Sequence, residues 1–177
     1  MRRQDLVKVF GTKRPVMGML HLPPLPGSPN YKGSMTAVID HALKDAETLT
    51  KVGINAMIVE NLGDYPYYPV TEEPETVAAM TRAALEIRRH YKDVPMGINI
   101  LRNSWKAAFA VASMADAQFI RLNILTDAYI TDQGPVYGEA HLALRYRKMI
   151  GAENVLIFSD IYTKHAGPVV TRDLTTV

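Results

Sequence analysis

The sequence predicts an α/β fold, an incomplete parallel (β/α) barrel of the TIM type with about five βα units, and three observations predict it. Short apolar runs alternate with longer stretches of helical periodicity from Val16 onward. The runs are rich in Val, Ile, Leu, Met and Phe, as strands buried on both faces are. Each run also closes on polar side chains, and active sites of such barrels lie at the carboxyl ends of their strands. Successive right-handed crossovers curl such a sheet in one direction, towards an arc of a barrel.

The elements follow in order. Residues 1–14 form a leader whose Leu6, Val7, Val9 and Phe10 suit a helix packed over the barrel bottom; contact with a membrane surface is the alternative. Strands are expected at 16–22, 56–60, 96–101, 119–125 and 155–161. Between the first two, Ser34 caps a helix with Val38, Ala42, Ala46, Leu49 and Val52 on one face, and Gly53 stops it. A second helix starts near 71–74, where Glu72, Glu73 and Glu75 suit the positive helix start, and carries a stripe of Val77, Met80, Ala84, Ile87 and Tyr91. The third follows Asn103 or Ser104, and its small stripe of Ala108, Val111, Ala112 and Ala115 lets it lie close to the sheet. The fourth, roughly 138–150, places Leu142, Tyr146, Met149 and Ile150 on one side and ends at Gly151.

The 177 residues, 47% apolar and 21% charged, suffice for a single domain and one sizeable core. A closed eight-stranded barrel needs about 250 residues, so residues 1–177 read as a partial barrel whose first and fifth strands have open edges; a homo-oligomer covering those edges is one expectation. Without cysteine there is no disulfide, no Cys-based metal site and no thiol nucleophile. A net charge of +2 with interspersed signs excludes a basic footprint for nucleic acid. No apolar run approaches the roughly 20 residues of a membrane span. The expectation is a cytoplasmic protein, with a position peripheral to a membrane as the alternative.

The strand ends supply the candidate site. They bring His21; Glu60, Asn61 and Asp64; Asn99, Arg102 and Asn103; Arg121 and Asn123; and Asp160, Lys164 and His165. A charge on a buried strand needs a partner, so Arg121 should face a carboxylate, with Glu60 and Asp160 as partners, or a ligand. Glu60 and Asp160 are the candidate general bases, with His21 and His165 as proton carriers because imidazole exchanges protons near neutral pH. Lys164 is a proton carrier or Schiff-base amine in one reading and a solvated loop lysine in the other. Asn61, Asn99, Arg102, Asn103, Arg121 and Asn123 are the candidate substrate ligands, the arginines holding anionic oxygens. Glu60, Asp64 and Asp160, with His21 or His165, could hold Mg²⁺ or Mn²⁺, although their spacing matches no metal motif. Asp132, Gln133 and Gly134 read as a tight turn first and a ligand loop second. HLPPLPGSP reads as a stiff loop at the pocket mouth, and YPYYP as aromatic wall or loop packing.

Five separated blocks carry a specific resemblance: GMLHLPPLPGSP, VENLGDYPY, GINILRN, FIRLNI with TDQG, and DIYTKHAGP. Together they resemble the BtpA family, with its SgcQ-type members, from about Val9 onward. The resemblance implies a TIM barrel related to the ribulose-phosphate-binding barrels. It also implies a link to photosystem I biogenesis or stabilisation in cyanobacteria, and elsewhere an enzyme without an assigned reaction. Three readings follow: an enzyme acting on a polar, phosphorylated or sugar-derived small molecule; a non-catalytic biogenesis factor for a membrane protein complex; and a truncated product without activity of its own.

Overall fold

The computed structural model describes residues 3–71, 73–171 and 173. Five parallel strands, β1 (Met17–His21), β2 (Ala56–Glu60), β3 (Met96–Asn99), β4 (Phe119–Leu122) and β7 (Leu156–Ser159), lie side by side in chain order. Helices α2 (Met35–Lys51), α3 (Pro74–His90), α4 (Trp105–Met114) and α5 (Ala140–Met149) connect them. The outcome is four complete βα units and a fifth strand, and the sheet does not close on itself. Ser34 caps α2 by accepting a hydrogen bond from the Ala37 N–H at 3.2 Å, and Gly53 follows its end with φ 78°. Glu73 precedes Pro74 at the start of α3; Glu72 lies outside the described residues.

All four helices pack on one face of the sheet. Their buried side chains join the outward residues Leu20, Val59, Ile98 and Ile120 in the main core. The alanine-rich face of α4 buries Ala107, Ala108, Val111 and Ala112, which brings this helix against β3 and β4. Arg88 ties the underside together: from α3 it donates to the carbonyls of Ala115, Tyr91, Lys92, Val94 and Asp116 and to Oε1 of Gln118. Burial pushes its pKa below the ordinary arginine value, with the Asp116 charge acting the other way.

The other face of the sheet is concave, because residues of its first and last strands share one cluster. Met17 and Met19, Ala56 and Ile58, Phe119, and Leu156 and Phe158 alternate in period two along their strands and gather around Phe10 of α1 (Arg3–Phe10). Phe10 stacks edge-on against Phe119 at 5.6 Å and Phe158 at 6.0 Å, so the leader helix closes the underside. Gly97 sits in this layer for want of room: a Cβ there would lie 2.2 Å from the Phe119 ring.

Two expectations need correction. Residues following β4, read as loop and turn, build a second sheet: β5 (Ala128–Thr131) and β6 (Gly134–Tyr137) form a hairpin around the Asp132–Gln133 turn, and β8 (Ala166–Pro168) pairs antiparallel with β5. The segment after β7 therefore returns to the hairpin. On α5 the expected stripe is only half covered. Ala143 is the buried residue, whereas Leu142 and Met149 are 41% and 74% exposed, because among the described residues no neighbour covers that side.

Gly97→Ala is expected to destabilise the fold by roughly 1–3 kcal/mol, since the methyl must displace an aromatic ring in a packed layer. In urea titrations, Phe119→Leu should recover part of that loss in the double variant. Simple additivity of the two losses would show that the ring is not what Gly97 accommodates.

Candidate functional site

Two residues beyond the aromatic layer, the same concave face turns polar. The register sets His21 beside Glu60 and Glu60 beside Asn99. Continued by one step from the Ile98–Ile120 pair, it brings Asn99 beside Arg121. Each of these residues lies an even number of positions from an inward apolar one on its own strand, which is why the row faces inward. Asp160 follows β7 by one residue, and its N–H donates to the Leu122 carbonyl at 2.9 Å.

Arg121 joins the row together. Its Nε and Nη2 donate to Oδ1 and Oδ2 of Asp160 at 2.9 and 3.0 Å, and its Nη1 donates to Oε2 of Glu60 at 3.3 Å. Both carboxylates anticipated as its partners are therefore bonded to it. The Asp160 bonds hold the Arg121 guanidinium protonated more firmly than an ordinary arginine, against the opposing effect of burial and with smaller help from Glu60. Oε2 of Glu60 also accepts from Nδ2 of Asn99 at 2.5 Å, and Oε1 faces Nε2 of His21 at 3.6 Å. Oδ2 of Asp160 accepts in addition from Nδ2 of Asn123 at 2.9 Å and from the Thr163 hydroxyl at 3.3 Å. Glu60, Asn99 and Asn123 are buried, whereas the His21 side chain is 46% exposed, at the mouth.

The remaining polar residues stand apart from this row. Asn61, one position beyond Glu60, accepts from the Leu101 N–H at 2.8 Å and donates to Oδ2 of Asp64 at 2.9 Å. Oδ1 of Asp64 accepts from the Leu25 N–H at 2.7 Å. The pair thereby ties together the loops after β1, β2 and β3, and it lines a separate cavity of about 260 Å³ with Tyr67, Tyr68, Thr71 and Thr76. Gly63 lets these loops touch, since a Cβ there would lie 2.4 Å from the Pro24 nitrogen. Asn103 accepts from the Ile124 N–H at 3.0 Å and donates to the Tyr137 carbonyl. Arg102 lies over the Tyr67 ring, 4.8 Å from its centre, and grips the hairpin tip through Asp132 and Gln133. Lys164 and His165 are exposed on the loop that Thr163 starts.

The described residues hold no group of three or more His, Cys, Asp or Glu side chains arranged to take a metal ion. The proposed set of Glu60, Asp64 and Asp160 is divided: Asp64 is committed to the loops, and the other two share Arg121. Two participants carried no sequence signal. Thr163 looks like any loop threonine, and Arg88 like any cation in the last turn of a helix.

Burial raises the Asp64 pKa above the ordinary carboxylate value, partly offset by its bonds from Leu25 and Asn61. A carboxyl whose pKa is raised by folding favours the folded state while protonated, so its contribution is lost as pH climbs from the unfolded-state value, about 4, through the folded one. Measured across that window, the stability of Asp64→Asn relative to the parent should therefore rise with pH; a difference independent of pH would contradict the burial effect. Separately, Arg121→Ala leaves two carboxylates facing each other without their shared cation and should destabilise by roughly 3 kcal/mol, the low end for such pairs because the guanidinium is 27% exposed.

Comparison with known proteins gives a consistent relationship. The sequence profile of the BtpA family matches residues 12–177. The photosystem I biogenesis protein BtpA of Synechocystis sp. is 42% identical over 97% of this chain and 59% of its own length. An uncharacterized protein of Pyrococcus horikoshii is 43% identical over 86% of the chain and 58% of its own length. An uncharacterized mitochondrial protein of Caenorhabditis elegans is 35% identical over 98% and 64%. The chain thus spans about three fifths of the length of these curated relatives. No helix among the described residues is long and apolar enough to cross a membrane.

Proposed function

The chain belongs to the BtpA family, and from the polar row on its sheet we propose that it carries the greater part of a small-molecule site of enzyme type. The observation that supports this most is the composition of that row: six side chains from five strand ends, His21, Glu60, Asn99, Arg121, Asn123 and Asp160, at the mouth of a concavity closed beneath by Phe10 and Phe119. Ligands enter parallel barrels at that end.

Within the row, Glu60 is the general base. Its Oε2 is engaged by Asn99 and Arg121, leaving Oε1 directed towards His21 as the oxygen that takes a proton. His21, exposed and adjacent, passes that proton to and from solvent. Asp160 and Arg121 position Glu60 and shape the floor of the site, whereas Lys164 and His165, exposed on the loop beyond Thr163, have no part in this reading. The aligned 172 residues are 59% of the Synechocystis protein, which therefore runs to about 290 residues, enough for eight βα units with insertions.

A second reading rests on the printed name of that relative: a non-catalytic factor in the biogenesis of a membrane protein complex, photosystem I in photosynthetic hosts. That name belongs to one relative, whereas those in Pyrococcus and Caenorhabditis carry no such role in theirs, so the small-molecule reading rests on the polar row and not on a relative's name.

In thermal melts against a panel of sugars, sugar phosphates, nucleosides and amino acids, the parent protein should gain stability with at least one compound. Glu60→Gln and Asp160→Asn should unfold cooperatively yet lose that gain. An undiminished response in both variants would refute the site. Capture of detergent-solubilised photosystem I by immobilised parent and Glu60→Gln protein alike, with no response to the panel, would favour the biogenesis reading instead.

A further inference from the structure

The row can be read for what it lacks as well as for what it holds. Among the described residues Oδ1 of Asn99 and Oδ1 of Asn123 are buried without a hydrogen-bond partner, and their residues are only 1% and 9% exposed. Which end of each amide is left over is fixed chemically: a carboxylate only accepts, so the NH₂ groups must face Glu60 and Asp160 and the oxygens must be the free atoms. A buried acceptor without a donor is unfavourable. Two of them on one concave face indicate where hydrogen-bond donors are wanted.

Charge points the same way. The layer contains two carboxylates and one guanidinium, and three of the five N–H donors of that guanidinium are already directed at Glu60 and Asp160. Arg102, the other arginine at the strand ends, is engaged with Asp132, Gln133 and the Tyr67 ring. A phosphoryl group brings only acceptor oxygens and negative charge, and here it would meet two carboxylates and two amide oxygens, against the two remaining N–H groups of one guanidinium whose charge those carboxylates already offset. Hydroxyl groups bring the donors that those oxygens lack.

We infer that the layer formed by Glu60, Asn99, Arg121, Asn123 and Asp160 binds a neutral, polyhydroxylated ligand by accepting hydrogen bonds from its hydroxyls at Oδ1 of Asn99 and Oδ1 of Asn123, and does not hold a phosphoryl group. This rests on the small-molecule reading above and narrows it to a sugar or polyol portion at this level of the site. Asn99 and Asn123 are then binding residues through their oxygens and positioning residues through their nitrogens, each amide linking ligand to carboxylate.

Titration calorimetry of the intact chain with D-ribose, ribitol, D-ribose 5-phosphate and inorganic phosphate tests the inference. Ribose or ribitol should bind, ribose 5-phosphate should bind no more tightly than ribose, and phosphate should not compete. Asn99→Leu and Asn123→Leu should each weaken ribose or ribitol roughly tenfold or more, the effect of one hydrogen bond. Circular dichroism melts accompany both variants; Asn123→Leu is the safer, since Asp160 keeps its bonds from Arg121 and Thr163. Preference for phosphate or ribose 5-phosphate, lost in Glu60→Gln, would overturn the neutral-ligand inference and leave the small-molecule reading standing. Ribose binding unchanged in both leucine variants would overturn it as well, as would failure of both neutral probes to bind.

Discussion

One guanidinium held between two carboxylates on the inner side of a parallel sheet is the constraint around which this molecule is arranged. Arg121 could not stand on β4 among apolar neighbours without compensation, because an uncompensated charge there would be strongly unfavourable. Glu60 from β2 and Asp160 from beyond β7 provide it, so the ion group spans the sheet from its second strand to its last. Asn99, Asn123 and Thr163 then complete the carboxylates' hydrogen bonds. Among the described residues the fully buried side-chain atoms that this layer leaves without a partner are the two amide oxygens, and that unmet bonding gives the site its chemical character.

The arrangement below the ion group makes this possible. With every crossover helix on the outer face, α1 and the strands' own side chains are what fills the inner face among the described residues. Phe10, Phe119 and Phe158 fill the lower part with mutually perpendicular rings, and Gly97 gives up its side chain so that Phe119 can lie flat against β3. A packed apolar layer beneath and a polar one above follow directly from strands that carry Met or Ile or Phe two residues before His, Glu or Arg.

Much of this was legible in the sequence, and the misses have physical causes. The five strands were marked by apolar runs, α2 by Ser34 and Gly53, and the pairing of Arg121 by the penalty for burying an isolated charge. The hairpin of β5 and β6 was not, because AYIT and GPVY are too brief for alternation to stand out from a polar loop. The division of the polar residues into two sets was hidden by parity. Glu60 and Asn61 are neighbours in sequence, yet successive strand residues point to opposite faces, so one joins the ion group and the other ties loops together around Asp64. The half-bare α5 escaped detection because periodicity reveals a stripe and says nothing of whether another element lies over it.

The position of α1 has a practical side. Its last residue seals the bottom of the concavity, on the side opposite the polar mouth. A fluorophore or surface linker on the exposed Lys8 side chain would sit on the sealed side. Immobilised through that helix, the protein would keep its mouth turned outward to the surrounding solution.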